Sequence, residues 1–462
     1  MKSWAAIVLA AGAGKRMHSN TPKVLHLLGG KPLLAYPLQA LERLSPARVV
    51  VVIGHGADEI KRVVPKTHNQ VWAQQRQQLG TGHAVLSARA ELKDFDGDIL
   101  ILSGDVPFLS DQSLSQLMET HRSEGCALTM AVASLDDPTG YGRIERGPQG
   151  DVRQVVEQRD ATVTQRRISE INVGLYAVSA EFLFNALDDL SNDNDQGEYY
   201  LPGIVSMAAR RGDKIGTVTV EDAREFRGIN NREELAWMEK ALRDEVNRSW
   251  MARGVSLKDP DTTYIDADVT IGPDSIIGPN THLLGRTVVG SRCRIDGSAY
   301  ITNAQLADDV HLAFSVVLDD CQLGSHVSVG PFARLRPGTV LAERVHIGNF
   351  VEVKNSSVGE GTKASHLSYI GDTQLGKESN IGAGTITCNY NGFIKSRTVI
   401  GDRVQIGSDT QLVAPVVVGD DTYIGAGSTI TKDVPPGTLA LSRAPQKHVE
   451  GWVERFRAKQ TK

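Results

Sequence analysis

The run Ile265-Asp-Ala-Asp-Val-Thr-Ile271-Gly-Pro-Asp-Ser-Ile-Ile277-Gly-Pro-Asn-Thr-His-Leu283-Leu-Gly-Arg-Thr-Val-Val289-Gly-Ser-Arg-Cys-Arg-Ile295 returns an aliphatic residue at every sixth position. The series reaches Ile301, takes one five-residue step, and resumes at Leu306, Leu312 and Leu318. It recurs at Val329, Leu335, Leu341, Ile347 and Val353, and again at Ile400, Ile406, Leu412, Val418, Ile424 and Ile430. Gly often follows the aliphatic residue, as in Ile271-Gly272, Ile347-Gly348, Ile381-Gly382 and Ile424-Gly425. Neither a helix nor a hairpin has a period of six. A triangular prism does, with three six-residue sides per coil and one inward side chain per side. The pattern predicts a hexapeptide-repeat β-helix.

That register can be counted outward to polar residues. Arg336 follows inward Leu335 and Lys354 follows inward Val353, eighteen residues or one coil later. The two cations are predicted to stack on one face, about 4.8 Å apart at the backbone. Stacked cations repel, so an anion between them is one reading; two solvated charges on a prism face is the other. His366, in Ala364-Ser365-His366-Leu367-Ser368-Tyr369, falls just before the corner leading back to that face. A histidine titrating near pH ~6.5 suits accepting a proton from an amine. The segment Cys388-Asn389-Tyr390-Asn391-Gly392-Phe393-Ile394-Lys395 breaks the register before Ile400 and is predicted to loop out on one face. After Pro435-Pro436-Gly437 the period ends. A weakly helical tail from about 447 to 456 is expected to pack across the end of the prism.

Residues 1–229 have a different grammar. Buried strands are predicted at Trp4–Ala10, Arg48–Ile53, Asp98–Leu102 and Ala127–Val132, alternating with helical stretches such as Leu33–Leu44 and His83–Ala90. This predicts an α/β, Rossmann-like, mostly parallel sheet. The first strand runs into Ala11-Gly12-Ala13-Gly14-Lys15-Arg16-Met17, where backbone N–H groups can approach an anion and Arg16 can grip phosphate oxygens. Taken alone, a tight strand-to-helix turn explains the two glycines equally well. Asp105, in Ser103-Gly104-Asp105-Val106-Pro107, closes a parallel strand, at the crevice where such sheets bind ligands. Its carboxylate suits Mg²⁺.

A helix is predicted from Arg232 to about Arg253, with Asn231 and Glu234 as a capping box and Gly254 as its stop. Residues 230–255 are read as a linker between domains 1–229 and 256–462. The chain has 462 residues and a formal charge of −5, which argues against a nucleic-acid partner. Its four cysteines form no CxxC pair and are read as reduced thiols, which points to the cytoplasm. No apolar run is long enough for membrane insertion, and Trp4–Ala11 is read as a strand entering the phosphate loop rather than a signal peptide.

The motifs Leu9-Ala10-Ala11-Gly12-x-Gly14-x-Arg16-Met17, Pro22-Lys23, Gln78-Leu79-Gly80-Thr81-Gly82-His83-Ala84 and Gly104-Asp105-Val106-Pro107 together resemble the sugar-phosphate nucleotidyltransferases. Gly140-Tyr141-Gly142-Arg143-Ile144, Val156-Glu157, Ile171-Asn172-Val173-Gly174 and Gly228-Ile229-Asn230-Asn231-Arg232 narrow the match. With the hexapeptide half, nearly the whole chain resembles the bifunctional N-acetylglucosamine-1-phosphate uridyltransferases/glucosamine-1-phosphate acetyltransferases. The resemblance implies a left-handed parallel β-helix and two activities that together make UDP-N-acetylglucosamine. It implies that Leu9, Ala10, Ala11, Gly12, Arg16 and Lys23 contact the nucleotide and its phosphates, with Ser103 and Gly104 beside them. Gln75, Gly80 and Thr81 would read the uracil, and Gly140, Glu157 and Asn172 would hold the sugar. Asp105 and Asn230 would bind Mg²⁺. In the C-terminal half it implies His366 as general base, with Arg336, Lys354, Tyr369 and Asn380 on glucosamine 1-phosphate. Ala383, Asn389, Tyr390, Ser408, Ala426 and Arg443 would contact acetyl-CoA. UTP and acetyl-CoA are the implied co-substrates, and a homotrimer with acetyltransferase sites between subunits the implied assembly. Lys15 stands where the commonest family loop carries Thr, and Ser103 where some members carry Tyr.

Two other readings share these folds. A single-activity pyrophosphorylase would use the prism only for assembly, and a non-enzymatic scaffold would use neither site.

Overall fold

The computed structural model describes residues 3–194 and 196–460. It forms two compact units, Met1–Lys240 and Ala241–Lys462. The division falls inside the helix Arg232–Ala252. At its start, Asn231 Oδ1 accepts from the Glu234 backbone N–H at 2.8 Å, while the Glu234 carboxylate accepts from the Asn230 N–H at 2.6 Å. The pair Asn231 and Glu234 caps the helix as expected, except that Glu234 takes the N–H of the residue before the cap rather than that of Asn231.

The first unit is built on a sheet whose strands run, edge to edge, Ile215–Thr219, Leu128–Ser134, Glu170–Ser179, Asp98–Ser103, Trp4–Ala10, Arg48–Ile53 and Gln70–Gln74. Val49, Val50, Val51 and Val52 are buried on both faces, the pattern that central parallel strands require. The sheet is mixed rather than simply parallel. Glu170–Ser179 runs antiparallel to both neighbours, and the hairpin Arg143–Arg146/Val152–Val156 hangs from it. This reversal brings the amino end of Glu170–Ser179 to the edge where its parallel neighbours end. The expected helices are shorter than read from sequence: Ala35–Leu44 starts after Leu33 and Leu34, both buried in the core. The second begins at Thr81, opened by Gly80 with φ 103, and ends at Leu86 before a 3₁₀ turn Arg89–Leu92.

The second unit is the prism: three parallel sheets of 11, 10 and 9 strands, stacked coil on coil as a left-handed β-helix. Every aliphatic residue of the six-step series lies in its core. The structure adds three five-residue steps to the one expected, from Leu318 to Leu323, Val353 to Val358 and Ile370 to Leu375. Each short step turns on Asn or Asp with positive φ: Asn303, Asp320, Asn355 and Asp372. These residues tolerate the left-handed conformation because a short polar side chain can bond locally. Buried hydroxyls serve the corners too, as where Thr339 Oγ1 donates to the Arg336 carbonyl at 2.7 Å.

The coil continues one side past Pro435-Pro436-Gly437, since Leu439–Ala440 pairs with Tyr423–Ile424. The tail helix is Trp452–Gln460, and none of its side chains is buried. It does not pack across the prism's end: Trp452 and Phe456 stack on each other instead, ring centroids 4.9 Å apart. Among the described residues no helix is long and apolar enough to cross a membrane.

Candidate functional sites

In the first unit, Leu9 is paired with Ser103, Ala10 with Ile53, and Ile53 with Gln74. Four parallel strands therefore end in one line, the edge where open α/β sheets bind ligands. The Ala11–Gly12 loop, Gln75 and Ser103–Asp105 leave from that line. Gly104 donates its N–H to the Leu9 carbonyl at 2.9 Å. A Cβ there would press on that oxygen, on Leu34 and on Ala10, so glycine lets the loop close on the first strand.

Three separate segments meet at Asn230. Its Oδ1 accepts from Arg16 Nη2 at 2.9 Å and from Lys23 Nζ at 3.1 Å, and Lys23 also pairs with the Asp105 carboxylate. Gly14, at φ 59, packs on the Lys23 side chain, which ties the glycine loop to this cluster. Hard oxygens of Asp105 and Asn230 thus converge on one cation. No cluster of three or more His, Cys, Asp or Glu side chains is placed to hold a metal among the described residues. A pair of oxygen ligands suits Mg²⁺, which keeps waters and phosphates in its remaining positions.

Gln75 is buried and donates through Nε2 to the Gly80 carbonyl at 3.1 Å and to His83 Nδ1 at 3.0 Å. Thr81 Oγ1 accepts from the Leu201 N–H at 3.0 Å, which fixes the start of its helix. Asn172 Oδ1 accepts from Gly174 N–H and Tyr176 Oη. Burial lifts the Glu157 carboxyl above its ordinary range; Asp160 adds to the rise and Arg143 opposes it. Arg143, a residue the sequence motifs quote but assign no role, is shielded from solvent at 1 % exposure. It donates to the Tyr141 carbonyl, to Gln158 Oε1 at 2.7 Å and to the Arg166 carbonyl at 3.5 Å. Among the described residues no carboxylate pairs with it. Gln158 Oε1 also accepts from the Gly140 N–H at 3.4 Å, so Arg143 and Gln158 together hold the Gly140–Tyr141 turn beside Glu157.

In the prism, Leu335 is in register with Val353, and Arg336 donates its backbone N–H to the Val353 carbonyl at 2.8 Å. The predicted stacking of Arg336 and Lys354 is therefore observed. Each of the two cations also meets a charged neighbour within the chain. Arg336 Nη1 already pairs with Glu352 at 2.9 Å. Lys354 meets a second lysine, Lys395, carried in by the loop that interrupts the repeat. Contact with Lys354 lowers the Lys395 pKa, and Asp372 opposes that shift. Asp372 accepts from Asn355 Nδ2 at 2.6 Å and from Asn389 Nδ2. Burial pushes the Asp372 carboxyl up, but those two amides and Lys354 and Lys395 more than offset it. Tyr369 lies across Gly371, the residue next in line after Arg336 and Lys354. In the loop, Tyr390 bridges to Lys395 and its Oη donates to the Gly392 carbonyl at 2.6 Å.

A second line of residues runs along a neighbouring corner. Ile347, Ala364, Ile381, Ile406 and Ile424 are in register from coil to coil. Two places after them stand Asn349, His366, Ala383, Ser408 and Ala426. Arg443 extends the line by donating to the Ala426 carbonyl at 2.7 Å. His366 thus heads a column of small residues that ends in a cation. Asn380 pairs with Lys363, on the strand that carries His366. The period alone places Arg336, Lys354 and His366 but does not single out Lys395, Asp372 or Asn349. The last two are countable in the same register, whereas the loop that delivers Lys395 has no period.

Residues 6–197 match the family described as the MobA-like NTP transferase domain, and residues 268–303 and 397–432 match the bacterial transferase hexapeptide family. The bifunctional protein GlmU of Pelobacter propionicus is 47 % identical over 459 residues, covering 99 % of this chain and 100 % of that protein. That of Geotalea uraniireducens is 46 % identical, covering 98 % of this chain and 99 % of its own length. That of Corynebacterium diphtheriae is 44 % identical, covering 98 % and 95 %. Each of these matches spans both units, and the chain belongs to the family of the bifunctional protein GlmU.

Proposed function

We propose that this chain makes UDP-N-acetylglucosamine in two reactions, one in each unit. The observation that carries the reading is the register column His366–Ala383–Ser408–Ala426, ending at Arg443, on a prism that also brings Lys354 and Lys395 together. A prism serving only assembly has no use for that arrangement.

In the prism, Arg336, Lys354 and Lys395 hold the phosphate of glucosamine 1-phosphate, with Tyr369 and Asn380 on the sugar. Acetyl-CoA lies along the column, where Ala383, Ser408 and Ala426 leave room and Arg443 meets a phosphate, while Asn389 and Tyr390 border the acetyl group. His366 takes the proton from the sugar amine as its nitrogen bonds to the acetyl carbon. The carbon–sulfur bond breaks, and coenzyme A leaves as the thiol with that proton.

In the first unit, Leu9, Ala10, Ala11, Gly12, Arg16 and Lys23 hold UTP phosphates, with Ser103 and Gly104 closing the pocket wall. Gln75, Gly80 and Thr81 face the uracil, and Gly140, Glu157 and Asn172 the N-acetylglucosamine. The sugar phosphate oxygen attacks the α-phosphorus and pyrophosphate leaves, so positioning and charge neutralisation suffice. Asp105 and Asn230 hold Mg²⁺, which supplies neutralisation of phosphate charge when bound.

The reactions are placed in the cytoplasm, in keeping with four cysteines that are all free thiols. The assembly proposed is a homotrimer with acetyltransferase sites between subunits. In its support, exposed Phe332 and Phe350 stack with centroids 5.4 Å apart, Phe314 meets Phe332 edge-on at 5.9 Å, and exposed Leu367 follows His366. The test is a pair of variants in a pair of assays. His366→Ala is expected to abolish coenzyme A release and spare pyrophosphate release, and Asp105→Ala to do the reverse. Wild type without acetyl transfer would overturn the two-activity reading.

A further inference from the structure

Asn349 lies in register with His366, one coil away on the same sheet. Its Oδ1 is 2.7 Å from His366 Nδ1. An amide oxygen only accepts, so the proton of this bond sits on Nδ1. A neutral imidazole protonated at Nδ1 has its lone pair on Nε2, the atom left to act as base. The local backbone is built for this contact. A Cβ on Gly348 would fall on the Ser365 carbonyl oxygen, so glycine lets the two strands close. The Leu367 N–H donates to the Asn349 carbonyl at 3.0 Å, which fixes the corner just after the histidine. Other titratable groups stand at nearby positions of these strands. Lys363 is on the same strand, His346 is on the strand below with its Nδ1 on Ser328 Oγ at 2.7 Å, and Tyr369 lies past the corner.

We propose that Asn349 is a positioning residue for acetyl transfer, setting the tautomer and ring orientation of His366 so that Nε2 faces the amine. The inference rests on His366 being the base. A neutral acceptor orients the ring without adding a charge that would favour imidazolium, as a carboxylate in this place would.

The experiment uses the full-length protein and three variants: His366→Ala, Asn349→Leu, nearly isosteric but without an acceptor, and Asn349→Asp, which restores one. Uridyl transfer serves as the folding control. Asn349→Leu is expected to lower kcat for acetyl transfer by about 10²-fold, the lower end of a general base's contribution. KM values for both acetyl-transfer substrates stay as in wild type. Asn349→Asp is expected to recover most of kcat and to move the acid limb of the pH–rate profile upward, because an anion beside Nδ1 stabilises the charged ring. Wild-type kcat in Asn349→Leu, a loss confined to KM, or an unmoved acid limb in Asn349→Asp would overturn the proposal. Retained acetyl transfer in His366→Ala would instead remove the reading of His366 on which it stands.

Discussion

The ammonium of Lys395 lies against that of Lys354, and both face the Asp372 carboxylate. Two cations and one anion leave the cluster with a net positive charge, which suits the proposed sugar phosphate. Lys395→Ala is expected to raise KM for glucosamine 1-phosphate on the order of tenfold, the scale of a lost hydrogen bond to a charged group. KM for acetyl-CoA stays unchanged. Because its pKa is lowered, Lys395 loses charge at a lower pH than an ordinary lysine. Wild-type KM for the sugar phosphate should therefore climb early on the alkaline side, and that climb should vanish in Lys395→Ala. Steady-state kinetics across pH measures both.

Glu157 offers a case where stability and function pull apart. Burial raises its carboxyl pKa in the folded chain. Such a group contributes stability that is full below its unfolded pKa and lost as pH rises through the folded one. At neutral pH the ionised side chain therefore works against folding. Glu157→Gln is expected to raise the thermal midpoint at neutral pH, with the gain fading below the ordinary glutamate value of about 4.3. The same change should raise KM for N-acetylglucosamine 1-phosphate. Thermal melts at several pH values, paired with uridyl-transfer kinetics, check the crossing.

Arg143 ties the Tyr141 carbonyl, Gln158 and the Arg166 carbonyl together behind the proposed sugar subsite. Arg143→Met leaves those acceptors without their donor, and a buried unsatisfied polar group costs about 1–3 kcal/mol. Urea unfolding followed by a probe in the first unit should register a loss of that size. KM for the sugar phosphate should rise while KM for UTP does not.

Gly371 gives a gentler probe of the proposed acetyltransferase site. A Cβ there meets the Tyr369 hydroxyl, the far end of a side chain that can swing aside. Gly371→Ala is therefore expected to displace the hydroxyl without unfolding the prism. Acetyl transfer falls about tenfold, in line with one lost hydrogen bond to a charged partner. An unchanged rate would remove Tyr369 from contact with the substrate.

The prism was legible because its period is carried by side chains that must face inward, and each of those aliphatic residues does. Stacking of Arg336 over Lys354 followed from counting alone. What counting missed has physical causes. The extra short steps at Asp320, Asn355 and Asp372 change the count without changing residue type, since Asn and Asp also occupy ordinary turns. Glu352 is an outward strand residue whose reach to Arg336 depends on its rotamer. In the first unit, strands were readable from their apolar runs, but the reversal of Glu170–Ser179 was not. Its run Val173 to Val178 looks the same in either direction, and direction is set by the connections it makes.

A solenoid adds height in fixed increments, so the column from His366 to Arg443 has a countable length. It spans three rises to Ala426, which at about 4.8 Å each sets His366 roughly 14 Å from the carbonyl that Arg443 binds. On the proposed reading the fold works as a ruler for its acyl donor. Deleting or duplicating one whole coil between Ala383 and Ala426 would rescale that ruler by a single graduation while leaving every core contact in register. An acyl carrier whose arm is shorter or longer by the same increment would then be the better fit.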